Sequence, residues 1–303
     1  MSKLQDALRK LQDGKPPATK TSKRVDGQAQ YPKNIASVIR KDQGDVSGNS
    51  IAIDRKALRD AGLLAPETDE QQLANEYRHI KRPLIAHAFG KRATKVKDGN
   101  LIMVASALPG EGKTFTCVNL ALSMAQEQDH SVVLVDADVA KPHITELFGA
   151  TNEPGLLDVL DEPDRDLGTV LMKTDVPWMS VIPAGKPRRN STELVSSLRM
   201  EQIVFELSNR YPDRIVLFDS PPLLLTNESK VLASLMGQIV LVIRAEQTPR
   251  NAVEEAVSAL DESKAINVIL NQVRHRHGHG AYYGAYGSYG DNKAYTRTYA
   301  EDE

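Results

Sequence analysis

The run Leu101-Ile102-Met103-Val104-Ala105-Ser106-Ala107-Leu108-Pro109-Gly110-Glu111-Gly112-Lys113-Thr114 carries the strongest structural signal in the chain. It opens apolar and passes through a glycine-bearing loop. Beyond it Val118, Leu120, Ala121, Leu122 and Met124 form an apolar, helix-like stretch. Strand, loop and helix in that order make a phosphate cradle. Gly110 and Gly112 let backbone N–H groups curl around an anion, and the helix N-terminus adds partial positive charge. Lys113 is spaced to reach β- and γ-phosphates, and the Thr114 hydroxyl to meet Mg²⁺. The segment implies nucleoside triphosphate binding through Pro109, Gly110, Glu111, Gly112, Lys113, Thr114 and Phe115. The general pattern begins with glycine, and Ala107 holds that position here.

Working outward, short apolar runs alternate with helical patterns from about residue 96. Strands are expected at Leu101–Ala105, Val132–Val135, Ser180–Ile182, Ile215–Phe218, Ile239–Ile243 and Val268–Leu270. Helices are expected at Thr114–Gln126, Thr192–Leu207, Glu228–Leu235 and Asn251–Leu260. Strands this apolar suit a parallel sheet buried on both faces. The expected fold is therefore α/β: a doubly wound, mostly parallel sheet of P-loop NTPase type, with ligands at the carboxyl ends of the strands. Upstream, Ile51–Ile53 reads as a short strand, Asp54 as the cap of a helix ending at Gly62, and Glu67–Ile80 as a helix stopping before Pro83. Residues 1–48 read as a mobile arm, 49–95 as a helical extension, 96–273 as the P-loop domain and 274–303 as a flexible tail.

That tail holds Tyr282, Tyr283, Tyr286, Tyr289, Tyr295 and Tyr299, six of the nine tyrosines of the protein. Glycine at this density, with no aliphatic residue larger than alanine, builds no core. Two strand ends carry acids. Val133-Leu134-Val135 leads into Asp136-Ala137-Asp138, whose carboxylates are spaced to face a phosphate crevice together. One suits proton acceptance from a tyrosine hydroxyl, with Asp136 the better candidate, and the other suits Mg²⁺. Ile215-Val216-Leu217-Phe218 closes on Asp219, a Walker B arrangement that holds Mg²⁺ directly or through water.

The P-loop run, the Asp136–Pro142 block, the Ile215–Pro222 segment and the tyrosine-rich tail together resemble the bacterial tyrosine kinases (BY-kinases) of capsule and exopolysaccharide systems. The whole pattern, including the stretch Glu76-Tyr77-Arg78-His79-Ile80-Lys81-Arg82-Pro83, looks most like the autokinases that accompany exosortase-linked exopolysaccharide loci. The resemblance implies ATP and Mg²⁺ as ligands. Lys113, Asp136 and Asp138 would serve phosphoryl transfer, and Thr114, Asp136 and Asp219 the metal. Asn271 would lie near the adenine. The six tail tyrosines would accept phosphate in trans within a homo-oligomeric ring. Glu76, Arg78, Lys81 and Arg82 would belong to the oligomerisation helix. Two positions depart from the family pattern. Ala140 stands where an arginine is usual, and Asn75, Arg78 and Lys81 occupy the Glu-x-x-Arg-x-x-Arg frame.

Composition narrows the setting. A net charge of −2 argues against a nucleic-acid partner, and the single cysteine, Cys117, permits no internal disulfide. No apolar run approaches the roughly 18 residues of a membrane span. The expected setting is cytoplasmic and peripheral to the inner membrane. The family resemblance implies a separate transmembrane activator or polysaccharide co-polymerase with a cytoplasmic tail, and a cognate tyrosine phosphatase. Two other functions share parts of the pattern. A partition- or Min-type ATPase uses the same sheet but has a signature lysine where Leu108 stands. A non-catalytic, nucleotide-binding regulator would use the tail for docking alone.

Overall fold

The computed structural model describes residues 50–91, 94–127, 129–210 and 213–273. The six tail tyrosines and the N-terminal arm lie outside them. Among the described residues, eight strands form one sheet in the order β1-β4-β5-β3-β6-β2-β7-β8. They are β1 (Ser50–Ile51), β2 (Leu101–Ser106), β3 (Ser131–Asp136), β4 (Met172–Thr174), β5 (Met179–Ile182), β6 (Arg214–Asp219), β7 (Gln238–Arg244) and β8 (Ala265–Asn271). From β5 to β8 every pairing is parallel, and β4 runs antiparallel to β5.

Alternation along each strand sorts the core onto two faces. Leu101, Met103 and Ala105 of β2 face one cluster, and Ile102 and Val104 face the other. The first cluster is covered by α5 (Leu156–Asp161), α6 (Ser191–Val195), α7 (Leu198–Asn209), α8 (Asn227–Leu235) and α9 (Arg250–Ser258). The second lies under α1 (Arg55–Asp60), α2 (Glu70–Phe89), α3 (Lys113–Met124) and α4 (His143–Leu147). Helices on both faces make the sheet doubly wound, as the alternation predicts. Among the described residues no helix is long and apolar enough to cross a membrane.

Several elements differ from expectation. Helix α2 begins after Asp69 and runs through Pro83 to Phe89. Proline lacks only its own N–H, so the helix forfeits the bond to the His79 carbonyl. Its inward stripe of Tyr77, Lys81, Leu84 and Ala88 continues past the proline and holds the last turns on the core. The single helix expected over Thr192–Leu207 is two, because Ser197 breaks off α6 and caps α7 by accepting the Met200 N–H. The short strand expected at Ile51–Ile53 lies at Ser50–Ile51, while strand β4 and helices α4 and α5 are too short for a periodic signal. Strand β8 is longer than expected and, at the sheet edge, leaves Val268 and Leu270 exposed.

The segment before the P-loop joins the same body. Strand β1 pairs with β4, and Asp175 Oδ1 accepts the Ile53 N–H at 2.9 Å. Asp54 caps α1 through the Ala57 N–H, and Leu58 is fully buried, worth about 2 kcal/mol.

Candidate active site

The carboxyl ends of β2, β3, β6 and β8 meet at one cleft of about 690 Å³. Register brings them together. Asp136 on β3 is the Cα partner of Asp219 on β6, which in turn pairs with Val104 on β2. After β2 the chain turns through Gly110 (φ 78°) and Gly112 (φ 92°) into α3. Both are left-handed conformations that glycine adopts without strain.

Glu111 takes part in the loop through its backbone. Its carboxylate turns away from the cleft, accepting the Leu108 N–H at 2.8 Å and the Thr248 hydroxyl. The side chain braces the loop, leaving Glu111 to serve a ligand through its backbone. Asn271 lines the cleft and donates Nδ2 to the Glu111 carbonyl at 2.9 Å, tying the end of β8 to the loop. Pro109, Gly110, Gly112, Lys113, Thr114 and Phe115 also line the cleft.

Lys113 Nζ sits 2.8 Å from Asp138 Oδ2 and 3.6 Å from Asp219 Oδ1. Burial pulls the ammonium's pKa down, but Asp219 and Asp138 outweigh it and the net shift is upward. Lys113 therefore stays charged. Thr114 Oγ1 accepts from Lys113 Nζ at 3.3 Å and donates to Asp219 Oδ2 at 2.7 Å. Burial raises the pKa of Asp219 despite Lys113 and Thr114.

Asp136 and Asp138 do not face the cleft together. Asp138 lines it, while Asp136 is wholly buried behind it. Asp136 Oδ2 accepts both the Thr145 N–H at 2.8 Å and the Thr145 hydroxyl at 2.7 Å. Burial and then the Asp219 charge push its pKa up to about 7 against those bonds. Asp136, expected to accept the tyrosine proton, therefore does not open onto the cleft that Asp138 lines.

Asp136 Oδ1 and Asp219 Oδ1 are buried without a hydrogen-bond partner. Such oxygens are costly unless something satisfies them. Among the described residues no group of three His, Cys, Asp or Glu side chains is arranged to hold a metal ion alone. The two unpartnered carboxylate oxygens fit Mg²⁺, which commonly takes one or two carboxylates and completes its shell with water and phosphate oxygens.

The residues expected to serve oligomerisation separate. Glu76, Arg78 and Arg82 are exposed on α2. Lys81 is buried, donating to the Ser123 carbonyl at 2.6 Å and pairing with Glu127 at 2.7 Å. It serves the last turn of α3, where a cation complements the helix dipole, and is withdrawn from the surface. Sequence reasoning missed Leu63, Lys141 and His143, all of which line the cleft. Lys141 and His143 fall inside the Asp136–Thr145 stretch and were within reach, whereas Leu63 lies far away in sequence.

The ParA family model, described as NUBPL iron-transfer P-loop NTPase, matches residues 97–181. Tyrosine-protein kinase CpsD of Streptococcus agalactiae is 33% identical over 197 residues, which cover 64% of this chain and 83% of CpsD. Putative tyrosine-protein kinase EpsB of Ralstonia nicotianae is 32% identical over 62% of this chain, but the match spans only 25% of that longer relative. Among solved structures, the kinase domain of the Escherichia coli tyrosine kinase ETK superposes with a TM-score of 0.58 at 26% identity, covering 75% of this chain and 80% of that one.

Proposed function

The chain belongs to the bacterial tyrosine-protein kinases, and on that basis we propose that it transfers the γ-phosphoryl group of ATP to its own C-terminal tyrosines. It is a nucleotide-binding, P-loop protein-tyrosine kinase. The finer reading names Mg-ATP as donor and Tyr282, Tyr283, Tyr286, Tyr289, Tyr295 and Tyr299 as acceptors. The observation that carries it is the Lys113–Asp138 pair at 2.8 Å, a cation for phosphate beside a carboxylate that lines the open cleft.

The chemistry follows from that pair. Backbone N–H groups of residues 110–114 receive the phosphates, and Lys113 turns from Asp138 to their β- and γ-oxygens. Released from Lys113, Asp138 is free to accept a proton. A tyrosine hydroxyl, with a pKa near 10, is almost wholly protonated at neutral pH. As its oxygen bonds to the γ-phosphorus, the bond from that phosphorus to the β–γ bridging oxygen breaks. The hydroxyl proton passes to Asp138. Thr114 and Asp219, with Asp136 behind them, would hold Mg²⁺, which would supply charge neutralisation across the phosphates. Lys141 lines the cleft and offers a cation beside Ala140, and His143 lines it too.

The reading extends to assembly. The exposed face of α2 with Glu76, Arg78 and Arg82 serves a homo-oligomeric ring, so one subunit's tail enters another's cleft. A transmembrane activator with a cytoplasmic tail and a tyrosine phosphatase complete the cycle, which controls exopolysaccharide polymerisation or export at the membrane. A mixing experiment tests transfer between chains. Lys113→Met with an intact tail is incubated with a chain whose six tail tyrosines are phenylalanine, in Mg-ATP and with the activator tail. Phosphotyrosine on the Lys113→Met chain is expected. Its absence, with wild type phosphorylated in parallel, would exclude transfer in trans.

A further inference from the structure

We infer that Leu63, carried by the segment that precedes the P-loop domain, forms the base-side wall of the nucleotide cleft and sets its preference for a nucleotide over bare polyphosphate. The inference rests on the nucleotide reading above and assigns the part of the cleft that phosphate does not use.

The lining divides by chemistry. Gly110, Gly112, Lys113 and Thr114 offer N–H groups, a cation and a hydroxyl. Leu63, Phe115, Pro222 and Leu225 offer apolar surface in the same cavity. Bare phosphate has no use for the second set, whereas a flat heteroaromatic ring does. Asn271 and Gln272 also line the cavity and bring amide groups suited to the polar edge of such a ring. With Asn271 Nδ2 engaged on the Glu111 carbonyl, its Oδ1 is left as an acceptor.

Leu63 is placed by specific bonds. Helix α1 ends at Asp60, and Gly62 just beyond it, with a φ of 72°, reverses the chain. Leu63 and Leu64 then donate their N–H groups to the Leu58 carbonyl at 2.8 and 3.2 Å, with Leu58 fully buried beneath them. Asn119 Nδ2 donates to the Leu63 carbonyl at 2.7 Å and to the Phe115 carbonyl at 2.7 Å. Asn119 lies on α3, the helix that also carries Lys113. One amide thus fixes the apolar wall to the helix that carries the phosphate-binding lysine. Asn119 is a positioning residue and Leu63 the contact.

The test measures binding of ADP and of inorganic tripolyphosphate to the full chain by titration calorimetry. Leu63→Ala is expected to weaken ADP at least fivefold and to leave tripolyphosphate within twofold of wild type. Leu63→Phe, which keeps the apolar wall, is expected to hold ADP within twofold. Each variant is matched to wild type by circular dichroism and melting temperature. Unchanged ADP affinity in a folded Leu63→Ala protein would overturn the inference. So would equal losses for both ligands, which would place the effect on the loop and not the base. Lys113→Met is the control for the underlying reading. If it binds both ligands as wild type does, the cleft is not the phosphate site, and both readings fall together.

Discussion

One residue, Ala137, separates Asp136 from Asp138, and the end of β3 sends their carboxylates to different places. Asp138 lines the cleft with Lys113, while Asp136 is enclosed by Thr145 and Asp219. Sequence spacing shows that both acids stand at a strand end. It does not show that Thr145, nine residues on, ties down one of them. The burial has a measurable consequence in metal-free protein. The pKa of Asp136 is raised from 3.8 to about 7, so its contribution is most favourable below its unfolded value and is lost as pH rises through about 7. Asp136→Asn removes that loss. In chelator, its stability relative to wild type is expected to rise by a few kcal/mol between pH 4 and pH 8. Denaturant midpoints at both pH values check it, and an offset that does not change with pH would show Asp136 to be unperturbed.

At the scale of elements, legibility followed length and isolation. Strands β2, β3, β6 and β7 were plain because each is buried on both faces and reads as an apolar run. Strand β4 was not, since only Met172 of its three residues is buried. Helix α2 passed through Pro83 because its inward stripe outweighs one missing hydrogen bond. That stripe includes Lys81, which looked like a surface contact and is a buried brace. Lys81→Ala is expected to lower stability by about 1–3 kcal/mol, by leaving the Ser123 carbonyl unsatisfied, without altering oligomeric mass. Light scattering beside a melting curve separates the two roles; a changed mass at unchanged stability would return Lys81 to an interface. The break between α6 and α7 rests on Ser197, so Ser197→Ala is expected to cost about 1 kcal/mol. A stability equal to wild type in urea would show that packing alone sets the break.

In the whole molecule, the phosphate loop, the paired acids and the β8 terminus were legible because they sit at the carboxyl edge of one sheet. The contribution of the upstream segment was not. It depends on Asn119 reaching the Leu63 carbonyl across 56 positions of sequence, which no local pattern reveals. The chemistry of the tail gives the largest-scale expectation. Each phosphotyrosine adds about −1.5 to −2 charges, which repel a cleft that already contains acids and nucleotide. The fully phosphorylated chain is therefore expected to form smaller oligomers than a variant with phenylalanine at all six tail positions. Equal masses in light scattering would exclude that release. The most direct measurement is intact mass before and after Mg-ATP, with the activator's cytoplasmic tail present and Lys113→Met alongside. Wild type alone is expected to gain steps of one phosphate mapping to Tyr282–Tyr299. Wild type that binds ATP yet gains no mass would contradict autokinase action.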